Sequence, residues 1–135
     1  MTVYEELLTA AASGLPGAGG LTRAFGAAAS VFEAIRLAAE GCADTDPELF
    51  AAWLMTAAEA ADGRDALQHA ASAPPDGLAS APRLAAGRLD DLVRALAGLL
   101  AAADSQVVDP LDAAACELAA ACAGRIHALL ALDPS

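Results

Sequence analysis

The chain contains no lysine and no asparagine, and its seven cations are all arginine. Against them stand 18 acidic residues, so the formal net charge is −11. A nucleic acid or an anionic lipid surface is held by clustered positive charge, which this composition does not supply. We therefore expect neither nucleic acid nor a membrane among the partners of the chain.

Cysteine is also scarce, with one residue each at Cys42, Cys116 and Cys122. An odd, small number does not build a disulfide scaffold and suits a reducing compartment. The first six residues are acidic where a cleavable signal would be basic, and the uncharged helical run 95–103 is shorter than the roughly 20 residues that span a bilayer. These features predict a cytoplasmic protein.

Aromatic residues are few, whereas alanine makes up about 30% of the chain. Alanine is the best helix former, and its short side chain lets helices approach closely. The length of 135 residues is ordinary for one domain with its own core. We therefore predict a single all-α domain over residues 1–135.

Capping residues and glycines set the expected helix boundaries. The predicted helices run from Thr2 to Gly14, from Thr22 to Glu40, from Asp46-Pro47 to about Ala71, from Arg83 to Ala103, and from Asp109-Pro110 to about Leu132. Asp62-Gly63 predicts a bend or short break in the third helix. The proline-rich linker 73–82 separates hairpin 22–72 from hairpin 83–132. The expected fold is an antiparallel four-helix bundle of two hairpins, with the short first helix packed outside and the helix order left open.

The fifth helix is apolar almost all round, whereas the second helix has a single apolar seam, formed by Leu21, Phe25, Ala28, Phe32, Ile35 and Ala39. The two stripes of the fifth helix are Leu111, Ala115, Leu118, Cys122, Ile126 and Leu129 on one side, and Cys116, Ala120, Ala123, His127 and Leu130 on another. A helix of this kind is normally covered on several sides. We therefore predict a contact surface for a second copy or a helical partner, formed by Leu96, Leu99, Leu100, Cys116, Ala120 and Ala123.

The stretch GLPGAGGLT at residues 14–22 has the glycine spacing of a phosphate-binding loop. However, Gly20 stands where the essential lysine would be, and Leu21 stands where the magnesium-binding hydroxyl would be. The preceding residues also predict a helix and not the strand that feeds such a loop. The stretch is therefore interpreted as a flexible corner between two helices.

Candidates for catalysis and metal binding are sparse. The two histidines, His69 and His127, belong to no Glu-x-x-His pair of the kind that builds bundle metal centres. Asp65 and His69 are one turn apart, a spacing typical of a surface charge pair. We expect no metal and no cofactor.

Three functions are therefore compared. The first is a non-catalytic interaction protein that forms a homodimer or docks a helical partner through its last two helices. The second is a module that binds a small apolar ligand between helices two and three, in a pocket lined by Phe25, Phe32, Phe50, Trp53 and Met55, although core packing accounts for the same spacings. The third is a small enzyme without a recognisable motif.

Overall fold

Five α-helices pack together in the described part of the chain, residues 2–70 and 84–132 of a computed structural model. They are α1 (Val3–Gly14), α2 (Gly20–Thr45), α3 (Phe50–Leu67), α4 (Leu89–Asp104) and α5 (Pro110–Leu130). Short 3-10 turns lie at Pro47–Leu49, Gln68–Ala70 and Ala86–Arg88. No strand occurs within these residues, so the all-α prediction is confirmed. The predicted linker 73–82 lies outside them.

The predicted helix starts are confirmed where a side chain caps them. Oγ1 of Thr2 accepts a hydrogen bond from the backbone N of Glu5 at 3.2 Å. Oδ1 of Asp46 accepts from the backbone N of Leu49 at 3.3 Å, and Oδ1 of Asp109 accepts from that of Leu111 at 2.8 Å. These oxygens satisfy donors that the first helical turn leaves without a partner.

The predicted end of α2 is wrong, and so is the predicted break in α3 at Asp62-Gly63. Helix α2 continues through Gly41 to Thr45, and α3 continues through Gly63 to Leu67 without a break. Gly63 is buried, and a Cβ at this position would lie 2.6 Å from Cε1 of Phe32. The glycine therefore marks a close approach of α3 to α2 and not a stop in the chain.

Neighbouring helices run antiparallel wherever two contacts fix their direction. Along α2 and α3, Glu33 pairs with Arg64, and Asp46, just beyond the end of α2, bonds Trp53. Helix α5 contacts α3 through Arg125 with Glu59, and contacts the turn after α3 through Asp112 with His69. It contacts α4 through Cys116 with Leu100 and through His127 with Asp90. Helix α3 therefore lies between α2 and α5, and α5 lies between α3 and α4. Helix α1 packs against α2 and α4.

The core is formed mainly by α2, α4 and α5. On α2 the predicted seam is buried from Phe25 to Ala39, with Leu21 partly buried. On α5 the buried side takes residues from both predicted stripes, Ala115, Cys122 and Ile126 from the first and Cys116 and Ala123 from the second, together with Ala119. Leu111 and Leu118 from the predicted seam are 71% and 52% exposed. The predicted α5 seam is therefore only partly buried, because alanine occurs on every side of the helix and the spacing of apolar residues does not single out one face.

The glycine-rich segment forms the corner between α1 and α2, as predicted. Gly19 has a φ of +69°, a left-handed conformation that glycine adopts without strain. A Cβ on Gly20 would lie 2.2 Å from the carbonyl oxygen of Gly14, so the two chain segments touch there. The corner thus depends on both glycines to bring α1 back onto α2.

Candidate interaction surfaces

The predicted contact residues on the last two helices lie mostly inside the molecule. Leu96 and Ala123 are fully buried, and Leu99, Leu100 and Cys116 are at most 3% exposed. Only Ala120 is exposed. The apolar surplus at the tip of α4 and α5 is covered by the packing of these helices against each other and against the rest of the chain. These five residues therefore do not form a free surface.

The side of α5 that faces away from the core is nevertheless apolar. We call it the α5 outer face, and it consists of exposed small or apolar residues: Ala114, Leu118, Ala120, Ala121, Gly124 and Ala128. Nε of Arg125 donates to Oε2 of Glu59 on α3 at 2.7 Å, and Nδ1 of His127 lies 2.9 Å from Oδ1 of Asp90 on α4. Both charged groups are thereby held toward neighbouring helices, whereas the exposed Glu117 lies within the face, one helical turn from Ala114, Ala120 and Ala121.

Helix α5 is also long and apolar enough to cross a membrane by length and composition. It has 21 residues with a mean hydropathy of 1.3, and a third of the window is buried in the chain. A core helix of a soluble protein passes the same test, so this is weak support for a membrane span. The absence of a membrane partner stays a prediction.

A second apolar surface lies on the outer side of α3. We call it the α3 outer patch, and it consists of exposed residues on the first half of the helix: Phe50, Ala51, Leu54, Met55 and Ala58. Phe50, Leu54 and Met55 are 49%, 43% and 57% exposed. Phe50, Leu54 and Met55 span about 140° of the helix circumference, all within the exposed side of α3. Three large apolar side chains are thus presented to solvent within six residues.

Acidic side chains lie at both ends of the α3 outer patch. Glu48 is exposed before it, and Asp62 and Asp65 are exposed after it. The nearby arginines are already paired: Arg64 contacts Glu33 and Asp65, and Arg125 contacts Glu59. The surroundings of the patch therefore carry excess negative charge.

Glu33 links α2 to α3 beneath this surface. It accepts hydrogen bonds from Arg36 on its own helix and from Arg64 on α3. The hydrogen bond from Arg36 is the main reason that the pKa of Glu33 is lowered, with Arg64 adding to it against the opposing effect of partial burial. The carboxylate is thus ionised at neutral pH and holds both arginines in ion pairs.

The five residues predicted to line a ligand pocket do not share one environment. Phe25 and Phe32 are fully buried, while Phe50 and Met55 are about half exposed. Trp53 is partly buried, and its Nε1 donates to Oδ2 of Asp46 at 3.3 Å.

An open cleft lies beside Trp53, between α3 and the end of α5. It encloses about 20 Å³, and it is lined by Leu49, Ala52, Trp53, Thr56, Leu129, Leu130 and Leu132. This is smaller than the roughly 300–1,000 Å³ of typical small-molecule sites. Trp53 is the only predicted pocket residue that lines it.

The cysteines provide no activated nucleophile. Burial, with a contribution from Asp104 and Glu117, raises the pKa of Cys116 to about 11. Burial also raises the pKa of Cys42 and Cys122. Within residues 2–70 and 84–132, no three His, Cys, Asp or Glu side chains are grouped as metal ligands.

Thiol labelling is expected to follow burial. Because the thiolate is the reactive form, a raised pKa and a buried sulfur both slow alkylation. We expect half-buried Cys42 to react first with iodoacetamide at pH 8, and buried Cys116 and Cys122 to react quickly only in denaturant. Peptide mapping by mass spectrometry would measure this order. Rapid native labelling of Cys116 would contradict the burial described for it.

The sequence also contains a pattern that indicates an exposed stripe at the α3 outer patch. Ala51, Met55, Ala58, Asp62 and Asp65 are spaced by four, three, four and three residues, so they follow one helical stripe. Asp62 and Asp65 at the end of the stripe indicate a solvent-facing side, which Met55 must then share. The aromatic content of the segment instead favoured a core or pocket interpretation.

Comparison with protein-family models, with curated proteins and with solved structures gives no significant match. The function is therefore inferred from the surfaces that the fold presents.

Proposed function

We propose that this chain is a non-catalytic, cytoplasmic interaction protein that forms a homodimer through the α5 outer face. The observation that carries the proposal is that folding leaves exposed a side of α5 built mainly of alanine and glycine, with Glu117 among them. Exposed apolar patches on soluble domains commonly mark contact surfaces. The surface differs from the predicted one because only Ala120 of that set is exposed.

We also infer that α2, α3, α5 and α4 form an antiparallel four-helix bundle in that cyclic order, with α1 outside. The contacts of α2 with α3, α3 with α5, α5 with α4 and α4 with α2 support this arrangement. In such a bundle each helix keeps one side toward solvent. The proposed contact surface is the solvent side of α5.

The composition of the α5 outer face suits close helix packing. Alanine and glycine side chains let two helix backbones approach to the short end of the usual 8–10 Å range. At 21 residues, α5 is about 32 Å long, at 1.5 Å per residue. A stable dimer buries roughly 800 Å² per partner, so residues flanking α5 must contribute as well. Leu111 and Leu132, 71% and 52% exposed at its two ends, are suited to this.

The proposed dimer is tested with Ala120→Glu, which places a charge in the α5 outer face. Desolvating this carboxylate should raise the dimer dissociation constant at least about tenfold. Native mass spectrometry and light scattering across a concentration series would measure the change. Because each copy carries a formal charge of −11, added salt should favour the wild-type dimer by screening repulsion.

Ala95→Glu is the matched control, since Ala95 is also exposed on a helix. It lies about 140° around α4 from Asp90, which faces α5. The control should keep the wild-type dissociation constant. A monomeric wild-type chain at about 100 μM, or equal effects of the two variants, would contradict the proposal. Vesicle binding that Ala120→Glu abolishes would instead assign the same face to a membrane surface.

A further inference from the structure

We propose that the α3 outer patch binds an amphipathic helix of another protein, one with a leucine-like apolar stripe flanked by lysine or arginine. This interaction is separate from the proposed dimer because it uses another helix. It also gives the chain a partner of defined chemistry, with α3 as the recognition element.

The spacing of the patch matches an apolar stripe on a second helix. Phe50, Leu54 and Ala58 are four residues apart, so they form one of the ridges that pack into the groove of a facing helix. Met55, about 100° around the helix from Leu54, borders this ridge and is the most exposed of the large patch residues, at 57%. A flexible thioether adapts to differently shaped apolar partners.

The charges around the patch favour a partner with positive charge. Glu48 lies at one end and Asp62 and Asp65 lie at the other, and all three are exposed. Asp65 is already paired with Arg64, whereas Glu48 and Asp62 form no ion pair within the described residues, so these two carry the unpaired negative charge at the ends of the patch. A partner with cations at the edges of its apolar stripe would gain favourable contacts at both ends of the patch.

A second copy of this chain fits the patch less well. Pairing two α3 outer patches would bring the acidic ends of one copy near those of the other, whichever direction the helices run. Every arginine that flanks α3 in the described residues already has a carboxylate partner: Arg36, Arg64 and Arg125. The geometry therefore favours a cationic partner over self-pairing.

The test uses the full chain and an 18-residue peptide of leucine and lysine whose leucines occupy one helical side. Two control peptides are required: one replaces lysine with glutamate, and one scatters the same leucines and lysines around the helix. The fluorescence of Trp53, the chain's only tryptophan, reports binding beside the patch. We expect the amphipathic leucine–lysine peptide to bind at least tenfold more tightly than either control, and to weaken as salt is added.

Met55→Glu separates docking from general charge attraction. The substitution adds negative charge to the protein and places it within the patch, between Ala51 and Ala58 on the same helical stripe. We expect it to weaken peptide binding at least tenfold, whereas Ala95→Glu, with the same added charge on α4, should leave binding unchanged. Leu54→Glu provides a second patch variant, and circular dichroism confirms that each variant remains helical.

Equal peptide binding by Met55→Glu and Ala95→Glu would overturn the proposal, as would equal binding of the amphipathic and scattered peptides. The Ala120→Glu variant keeps the two surfaces distinct. It should bind the leucine–lysine peptide as the wild type does, whatever its oligomeric state. Loss of peptide binding in Ala120→Glu would place the peptide on the α5 outer face and contradict the assignment to α3.

Discussion

Leu100→Asp is expected to unfold the domain. Leu100 is 1% exposed, and its carbonyl oxygen accepts a hydrogen bond from Sγ of Cys116 on α5 at 3.2 Å. Removing a buried leucine costs about 2–5 kcal/mol, and burying a carboxylate without a partner adds several more. A domain stabilised by about 5–15 kcal/mol loses most or all of its stability to such a change.

The loss should depend on pH with a definite sign. Desolvation raises the pKa of a buried carboxyl above its unfolded value. The protonated form is therefore favoured in the folded chain, and the penalty of Leu100→Asp should grow as the pH rises above about 4. Thermal melts followed by circular dichroism at pH 4 and pH 8 would measure the difference, relative to the wild type at each pH.

Ala120→Glu is the control for this prediction, since Ala120 is exposed on α5. It should keep its helix content and lie within about 0.5 kcal/mol of the wild type under conditions where the chain is monomeric. The sequence alone had grouped Leu100 and Ala120 in one contact surface. Full helix content in Leu100→Asp at pH 8 would contradict the burial described here.

The difference between these two residues shows where the sequence was informative. On α2, Arg23, Glu33, Arg36 and Glu40 mark the wet side, so the opposite seam through Phe25 and Phe32 could be predicted correctly. The caps at Thr2, Asp46 and Asp109 could also be predicted correctly, because a short oxygen-bearing side chain before a helix accepts a hydrogen bond from a backbone N–H of the first turn.

Helix α5 lacks such markers. Its charged residues are distributed around the axis and take their places through contacts with other helices, as Arg125 does with Glu59 and His127 with Asp90. The buried side of an alanine-rich helix is decided by which neighbours fill the space against it, and periodicity does not contain that information. The α5 outer face could therefore be assigned only after the packing was known.

Gly63 illustrates the same limit at a single position. Glycine within a helix lowers its stability by about 1 kcal/mol relative to alanine, so the sequence predicts a bend or break. The helix continues because the missing side chain admits the ring of Phe32, which is fully buried. The low helix propensity of glycine predicted a break, which is absent because the compensating contact comes from Phe32, 31 positions away in the chain.

Gly63→Ala is consequently expected to destabilise the domain even though alanine favours helix. The new Cβ would lie 2.6 Å from both Cε1 and Cζ of Phe32, and the surrounding core leaves the ring little room to move. Overpacking of this kind costs about 1–3 kcal/mol, whereas alanine gains about 1 kcal/mol over glycine in helix propensity. The overpacking cost therefore at least offsets this gain and exceeds it over most of the range. Urea denaturation should show a lower midpoint with an unchanged slope.

Gly98→Ala is expected to stabilise the domain by an amount of similar size. Gly98 is exposed in α4, and a Cβ there would meet nothing within 4 Å, so this variant should gain about 0.5–1 kcal/mol. Phe32→Leu should then cost less in the Gly63→Ala background than in the wild type, because the smaller side chain relieves the overlap. Equal stabilisation by the two glycine substitutions would mean that α2 and α3 separate easily at Gly63. If Gly63→Ala destabilises the domain, Gly98→Ala stabilises it, and Phe32→Leu costs less in the Gly63→Ala background, then contact with Phe32, and not helix propensity, requires glycine at position 63.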